Sequence, residues 1–224
     1  MSRGLRYFAL GTALLLGGCA QYPVPVTSHA EAFNPRVSCN AVPTPEERVE
    51  LEMVDTLDAQ DRPYAAIAQL QRMGQSNQEY WMRYGQLLVK TDDMARARTV
   101  FSTMQRHCNS GQSHHGLGII AMKEGRVHLA VAHFEQAVNR MPASVQARND
   151  YGYALLTINR AHHAVPHLRT AFELQNGEGP ARQNLAVAYL LSNDHRGLDM
   201  LIDRYGFSDH ELAHARDLAR QMRR

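Results

Sequence analysis

Residues 111–142 read GQSHHGLGIIAMKEGRVHLAVAHFEQAVNRMP, and the fold is decided in this stretch. Its two halves are apolar at helical spacing and meet at Gly125. In the second half Ala130, Phe134 and Ala137 fall at i, i+4 and i+7, on one helix face. Gly118 and Ala130 are small where two helices would cross closely, and Phe134 suits the gap between neighbouring units. Gly125 can take positive φ in the turn, and Pro142 closes the unit. A lone hairpin of this kind cannot bury its own apolar face, so it requires copies of itself.

The copies are present. From Gly118, a step of 34 residues reaches Gly152, a second reaches Ala186, and a step of 33 backwards reaches Gly85. In the same frame Ala130 corresponds to Ala97, Ala164 and Leu198, and Phe134 to Phe101, Leu168 and Ile202. Ala137 corresponds to Met104, Ala171 and Tyr205. Tyr84, Leu117, Tyr151 and Leu185 precede the small positions, and Trp81 opens the first clear unit. Agreement at several independent positions resembles the tetratricopeptide repeat (TPR). The resemblance implies an all-α, right-handed superhelical TPR solenoid of about four to five helix pairs with a C-terminal capping helix. Residues 45–76 would form a degenerate N-terminal hairpin, 77–207 four repeats, and 208–224 the cap.

The chain has 224 residues, 21% charged and 44% hydrophobic, with a formal net charge of +2. That balance suits one globular unit and gives no field favouring nucleic acid. Residues 1–18 read as a signal peptide: Arg3 and Arg6 precede a short apolar run from Tyr7 to Leu16. The run ends in Leu16-Gly17-Gly18-Cys19, which resembles the lipobox of bacterial lipoproteins. That resemblance implies lipidation of Cys19, a membrane lipid anchor, and, with Ala20 following, the periplasmic leaflet of the outer membrane. Residues 19–44 carry four prolines and no apolar period, and read as a lipidated tether. With Cys19 set aside, Cys39 and Cys108 remain; they either form a bridge pinning the tether to the first clear repeat or stay as two thiols.

Both ends carry capping signals. Thr44 can cap a helix opening with Pro45, Glu46 and Glu47, whose apolar face would be Val49, Met53, Val54 and Leu57. Ala66, Leu70 and Met73 continue in a second helix, and Val54 stands only 31 residues before Gly85. Pro166 would be tolerated in the first turn of a helix starting near Ala161. Ser208 and Glu211 form a capping box opening a last helix. Its Leu212, Ala215, Leu218 and Ala219 would cover the final repeat, leaving Arg216, Arg220, Arg223 and Arg224 to solvent.

No catalytic constellation is visible. His163 and His167 are spaced for one helix face, yet no third ligand accompanies them, and helical histidines at a partly exposed surface are the default reading. Neither a Gly-x-Ser-x-Gly elbow nor a phosphate-binding glycine loop occurs. Once leader and repeats are set aside, no residues remain for an enzyme domain, so neither cofactor nor metal is expected.

Surface remains. In the TPR frame the inward places hold Glu79, Met82, Gln86, Val89 and Lys90, then His115, Ile119, Met122 and Lys123. Asn149, Tyr153, Leu156 and Thr157 follow, then Gln183, Val187, Leu190 and Leu191. This lining is apolar and amide-rich, suited to a peptide helix or extended tail; packing between repeats is the alternative for its apolar members. The lipobox, the proline-rich tether and the segments GLGIIAMKEGRVHLAVAHFEQAVNRMP, ARNDYGYALL and ARQNLAVAYLLSND resemble the TadD proteins of Flp (tight adherence) pilus assembly. That resemblance implies a non-catalytic outer-membrane scaffold helping the pilus secretin to assemble or localise, with secretin or other pilus components as partners. The alternative is another envelope adaptor, such as a type IV pilus pilotin or a docking lipoprotein for cell-wall hydrolases or proteases.

Overall fold

A computed structural model describes residues 33–74 and 77–223. The signal peptide, Cys19, the tether before Phe33, and Arg224 lie outside the described residues.

Among the described residues the fold is all-α, a TPR array of eleven helices stacked in pairs with no strand. The pairs are α1 (Pro45–Ala59) with α2 (Pro63–Arg72), α3 (Gln78–Lys90) with α4 (Met94–Cys108), and α5 (Gly111–Lys123) with α6 (Val127–Arg140). Then come α7 (Val145–Thr157) with α8 (Ala161–Leu174) and α9 (Pro180–Ser192) with α10 (His195–Tyr205), and α11 (Asp209–Met222) lies on α9. The first helices of successive pairs from α3 to α9 also touch one another and form a layer.

The turn inside each pair is the most regular ruler. Asp61, Asp92, Gly125, Asn159 and Asn193 all lie in the left-handed region, with φ of 56°, 64°, 71°, 59° and 57°. After each, the next amide donates to the carbonyl five residues earlier: Arg62 to Leu57, Asp93 to Leu88, Arg126 to Ala121, Arg160 to Leu155, and Asp194 to Tyr189. This closure satisfies carbonyls that a helix end leaves open, and needs one residue able to hold positive φ. Asp and Asn tolerate it through local polar contacts, so one glycine suffices for five turns.

Close crossing sets the small positions. A Cβ on Gly118 would stand 2.5 Å from the Phe134 ring, one on Gly85 2.6 Å from Phe101, and one on Gly152 2.4 Å from Leu168. Phe101 also abuts Gly116 of the next pair, so its ring fills the joint between two repeats. Burial of Phe101 and Phe134, each 1% exposed, contributes about 2–3 kcal/mol apiece.

Four details depart from the sequence reading. In α1 the buried residues are Leu51 and Val54, whereas Val49 and Met53 are exposed on a face against which no earlier repeat packs among the described residues. In α8, Pro166 sits at the sixth position, past the first turn; it and His162, whose carbonyl loses its donor, are both exposed, so water can satisfy that carbonyl. In α10 Leu198 is buried as expected, but Leu201 is buried in place of the half-buried Ile202 and Gly197 is buried beside it, so the inner face is turned by about one residue. The bulky Tyr189 opposite explains the rotation, since a Cβ on Gly197 would lie 2.4 Å from its ring.

The fourth concerns the tether. Residues 33–43 form a strap lying on α3 without helix or strand of its own. Cys39 and Cys108 are bonded, their Cα atoms 5.4 Å apart. Trp81 Nε1 donates to Arg36 O at 3.0 Å and Gln78 Nε2 to Cys39 O at 2.7 Å. Thr44 and Ser208 each complete a capping box, with Glu47 and Glu211.

Candidate functional site

The inner layer is built by repetition. Three first helices open on a polar cap that accepts a backbone amide three residues on, Asn77 for α3, Ser110 for α5 and Ser144 for α7, whereas α9 opens on Gly179 and Pro180. The caps fix the start of each helix, and therefore which residues face inward along it.

The structure sorts the expected inward residues into three groups. Glu79, Gln86, Lys90, Lys123, Tyr153 and Thr157 are exposed or partly so. Met82, Ile119, Met122, Asn149, Gln183, Leu190 and Leu191 are half-buried. His115, Val89, Leu156 and Val187 are buried and serve packing, Val187 at 1% exposure. Small side chains at neighbouring crossings draw the helices together, which is why these inward places close over.

A polar seam crosses the layer. His115 Nε2 lies 2.8 Å from Asp150 Oδ2, joining α5 to α7, and Asn184 Nδ2 donates to Asn149 Oδ1 at 2.9 Å, joining α9 to α7. Asn149 Nδ2 in turn donates to Asp150 Oδ1 at 3.2 Å, so the two links are continuous. Gln183 Nε2 ties the end of the layer to Glu211 O.

Three recesses lie along the layer. The first, about 460 Å³, runs between the strap residues Cys39 to Pro43 and the side chains of Glu79, Met82 and Gln112. The second, about 300 Å³, shares Met82 and Gln112 and continues past Gln86 and His115 to Met141 and Ser144. The third, about 190 Å³, is an apolar notch made by Ile119, Met122, Phe134 and Tyr153, with Lys123 and Asp150 at its edges. Gln112, Met141, Ser144 and Asp150 were not among the expected lining residues. The repeat frame itself could have nominated Gln112, at a first-turn inward place, and the Asn149-Asp150 pair marks the seam.

Charge is unevenly neutralised. Lys90 Nζ pairs with Asp58 at 2.8 Å and Asp61 at 3.1 Å, hydrogen bonds that raise its pKa above the ordinary lysine value. Arg83 pairs with Asp55 and Glu79. Lys123 Nζ donates to the Val89 carbonyl at 3.3 Å and, among the described residues, meets no carboxylate in an ion pair. A cation beside an apolar notch thus remains available to a partner.

The histidines fall elsewhere. His163 is exposed, while His167 packs on the Tyr151 ring at 4.5 Å and meets Arg148. Among the described residues no group of three or more His, Cys, Asp or Glu is placed to hold a metal.

Five helix pairs with one shared turn, and a first-helix layer lined by amides and apolar side chains, define a TPR array. The tetratricopeptide repeat family model matches residues 115–179. Over 208 residues the chain is 29% identical to the TPR repeat-containing protein PA4299 of Pseudomonas aeruginosa, covering 93% of this chain and 81% of that protein. Among solved structures, YrrB, a TPR protein with an unusual peptide-binding site, superposes with a TM-score of 0.53 at 19% identity over 75% of this chain and 90% of its own. TTC0263, a thermophilic TPR protein of Thermus thermophilus, gives 0.56 at 14% identity over 78% and 97%. At such identities the likeness is one of fold.

Proposed function

We propose that the chain is a non-catalytic scaffold that docks protein partners on its inner layer and acts in the bacterial envelope, anchored through lipidated Cys19, in Flp pilus assembly. The TPR fold supports protein–protein interaction as its role. The observation carrying the docking site is the notch of Ile119, Met122, Phe134 and Tyr153, where Tyr153 is 40% exposed and Lys123 stands without a carboxylate partner among the described residues. An extended peptide or helix presenting an apolar side chain beside an acidic one matches that chemistry. YrrB, a relative in fold, carries a peptide-binding site. The pilus assignment rests on the lipobox and the repeat segments that resemble the TadD proteins, and it makes the secretin the first partner to test.

The experiment is genetic. Deleting the gene should reduce secretin multimers and surface pili, and Tyr153→Ala with Lys123→Glu should reproduce the defect while leaving a folded array. Normal multimers and pili in the deletion strain would reject the pilus role in favour of another envelope adaptor. Cys19→Ser should move the protein out of the membrane fraction; unchanged fractionation would reject the anchor.

A further inference from the structure

We infer that residues 33–43 are a latched strap: the Cys39–Cys108 bond holds them over an aromatic slot on α3 and α4, and its reduction releases them while the array stays folded. The state of the bond then sets how much of α3 is open to a partner.

The slot is aromatic and the strap fills it. Phe33 meets Trp81 with ring centroids 6.2 Å apart and Tyr84 at 6.0 Å, and the Arg96 guanidinium lies over the Phe33 ring at 6.0 Å. Val37 packs against the same core, and Pro35 and Pro43 are buried. Lifting the strap would expose the edge of a core otherwise complete: Tyr80, Trp81 and Tyr84 remain packed on one another. It would also remove one wall of the recess beside Glu79, Met82 and Gln112, extending the inner layer onto α3.

What holds the strap is sparse apart from the disulfide. Ordering eleven residues carries a conformational cost for each, and against it stand three side-chain hydrogen bonds, an isolated bridge from Ser38 to Asn77, the Arg96–Phe33 contact and a few apolar contacts. The bond spans 69 residues, so it removes much of the freedom the strap would otherwise have. The array depends on none of this. Its repeats are joined by neighbour-to-neighbour packing from α1 to α11, and Thr44 caps α1 through Glu47 just beyond the strap.

The bond is also reachable. Cys39 and Cys108 are both partly exposed, and Cys39 lines the open recess. A dithiol reductant attacks one sulfur through its thiolate and expels the other cysteine as thiolate. Its second thiol then resolves the mixed disulfide. The reductant ends as a disulfide, two electrons and two protons having passed to Cys39 and Cys108.

The test needs no partner, so it is independent of the proposed function. Trp81 is the single tryptophan of the chain and 1% exposed, so its emission reports the strap directly. The full-length protein is compared oxidised, reduced with dithiothreitol, and as Cys39→Ser/Cys108→Ser. Reduction and the double variant should shift Trp81 emission to the red and speed tryptic cleavage after Arg36 about tenfold or more, because cleavage tracks the open population. Helical circular dichroism should persist, and reoxidation should restore the first two readouts. Unchanged emission and unchanged protection of Arg36 would overturn the latch, since the strap would then hold itself. Loss of helical signal together with the strap would overturn it equally, making the bond part of the array's own stability. Phe33→Ala in the oxidised protein should shift the emission while leaving helicity intact.

Discussion

His115 Nε2 stands 2.8 Å from Asp150 Oδ2 and joins two repeats across 35 residues, the interval that also separates Asn149 from its donor Asn184. Two different chemistries therefore serve equivalent joints, α5 to α7 and α7 to α9. A solenoid's stability is a sum of units and joints, so the polar seam is a joint whose worth can be measured.

His115→Ala and Asp150→Ala should each destabilise the protein by about 1.5–3 kcal/mol, the range for a hydrogen bond to a charged group. Urea unfolding of both singles and the double checks this. The double should cost less than the sum, since either change already breaks the bond; strict additivity would show that the pair is not coupled.

Gly118→Ala should be worse than Gly125→Ala, for different reasons. At Gly118 the added methyl meets the Phe134 ring at 2.5 Å, and overpacking of this kind costs about 1–3 kcal/mol. At Gly125 no atom lies within 4 Å, and the penalty comes from φ of +71°, about 1 kcal/mol. Gly125→Asn should be close to neutral, as at Asn159 and Asn193. Thermal melts of the three variants rank them.

Mild acid should weaken the fold through its buried imidazoles. Burial holds the imidazoles of His114, His133 and His167 below their ordinary value of 6.5. The unfolded chain takes up those protons first, so stability is full above about pH 6.5 and falls as pH drops through the lowered folded values. Melting at pH 5.5 should therefore lie below that at pH 7.5. Replacing all three histidines by glutamine should flatten the slope; an unchanged slope would assign it elsewhere.

A separate, more acidic window belongs to the cap. Hydrogen bonding to Arg182 at 2.7 Å, aided by Ser208, brings the Glu211 carboxyl down from 4.5 to about 2. Its contribution is present above about pH 4.5 and is lost as pH falls towards 2. Glu211→Ala should fray α11 and lower the melting temperature at pH 7 by a few degrees, reflecting about 1 kcal/mol from the lost capping bonds. Hydrogen exchange confined to α11 would localise the effect.

The repeats were legible because close packing forces small residues to recur: Gly85, Gly118 and Gly152 are each required by the ring or branch opposite. The left-handed turns were legible only at Gly125. Asp61, Asp92, Asn159 and Asn193 do the same work with residues common in any loop, so their spacing carried the signal and their identity did not. The rotation of α10 could not be read, because it depends on Tyr189 pressing against Gly197 from another helix. Of the inner layer, the notch residues Ile119, Met122, Lys123 and Tyr153 followed from the frame. The burial of His115 and Val187 did not, since the repeat pattern fixes direction and not depth. The strap was hidden for a related reason: proline-rich sequence excludes helix without saying what the segment touches.

The strap also has a consequence for the order in which the chain is assembled. Most contacts of the array join adjacent helices, so each repeat can form soon after it is synthesised. The strap precedes them all in the chain, yet its carbonyls at Arg36 and Cys39 wait for Trp81 and Gln78, and its sulfur waits for Cys108. The strap, made before α1, thus cannot be seated until α3 and α4 are in place, and whichever cellular catalyst pairs Cys39 with Cys108 acts only after the second helix pair has been made.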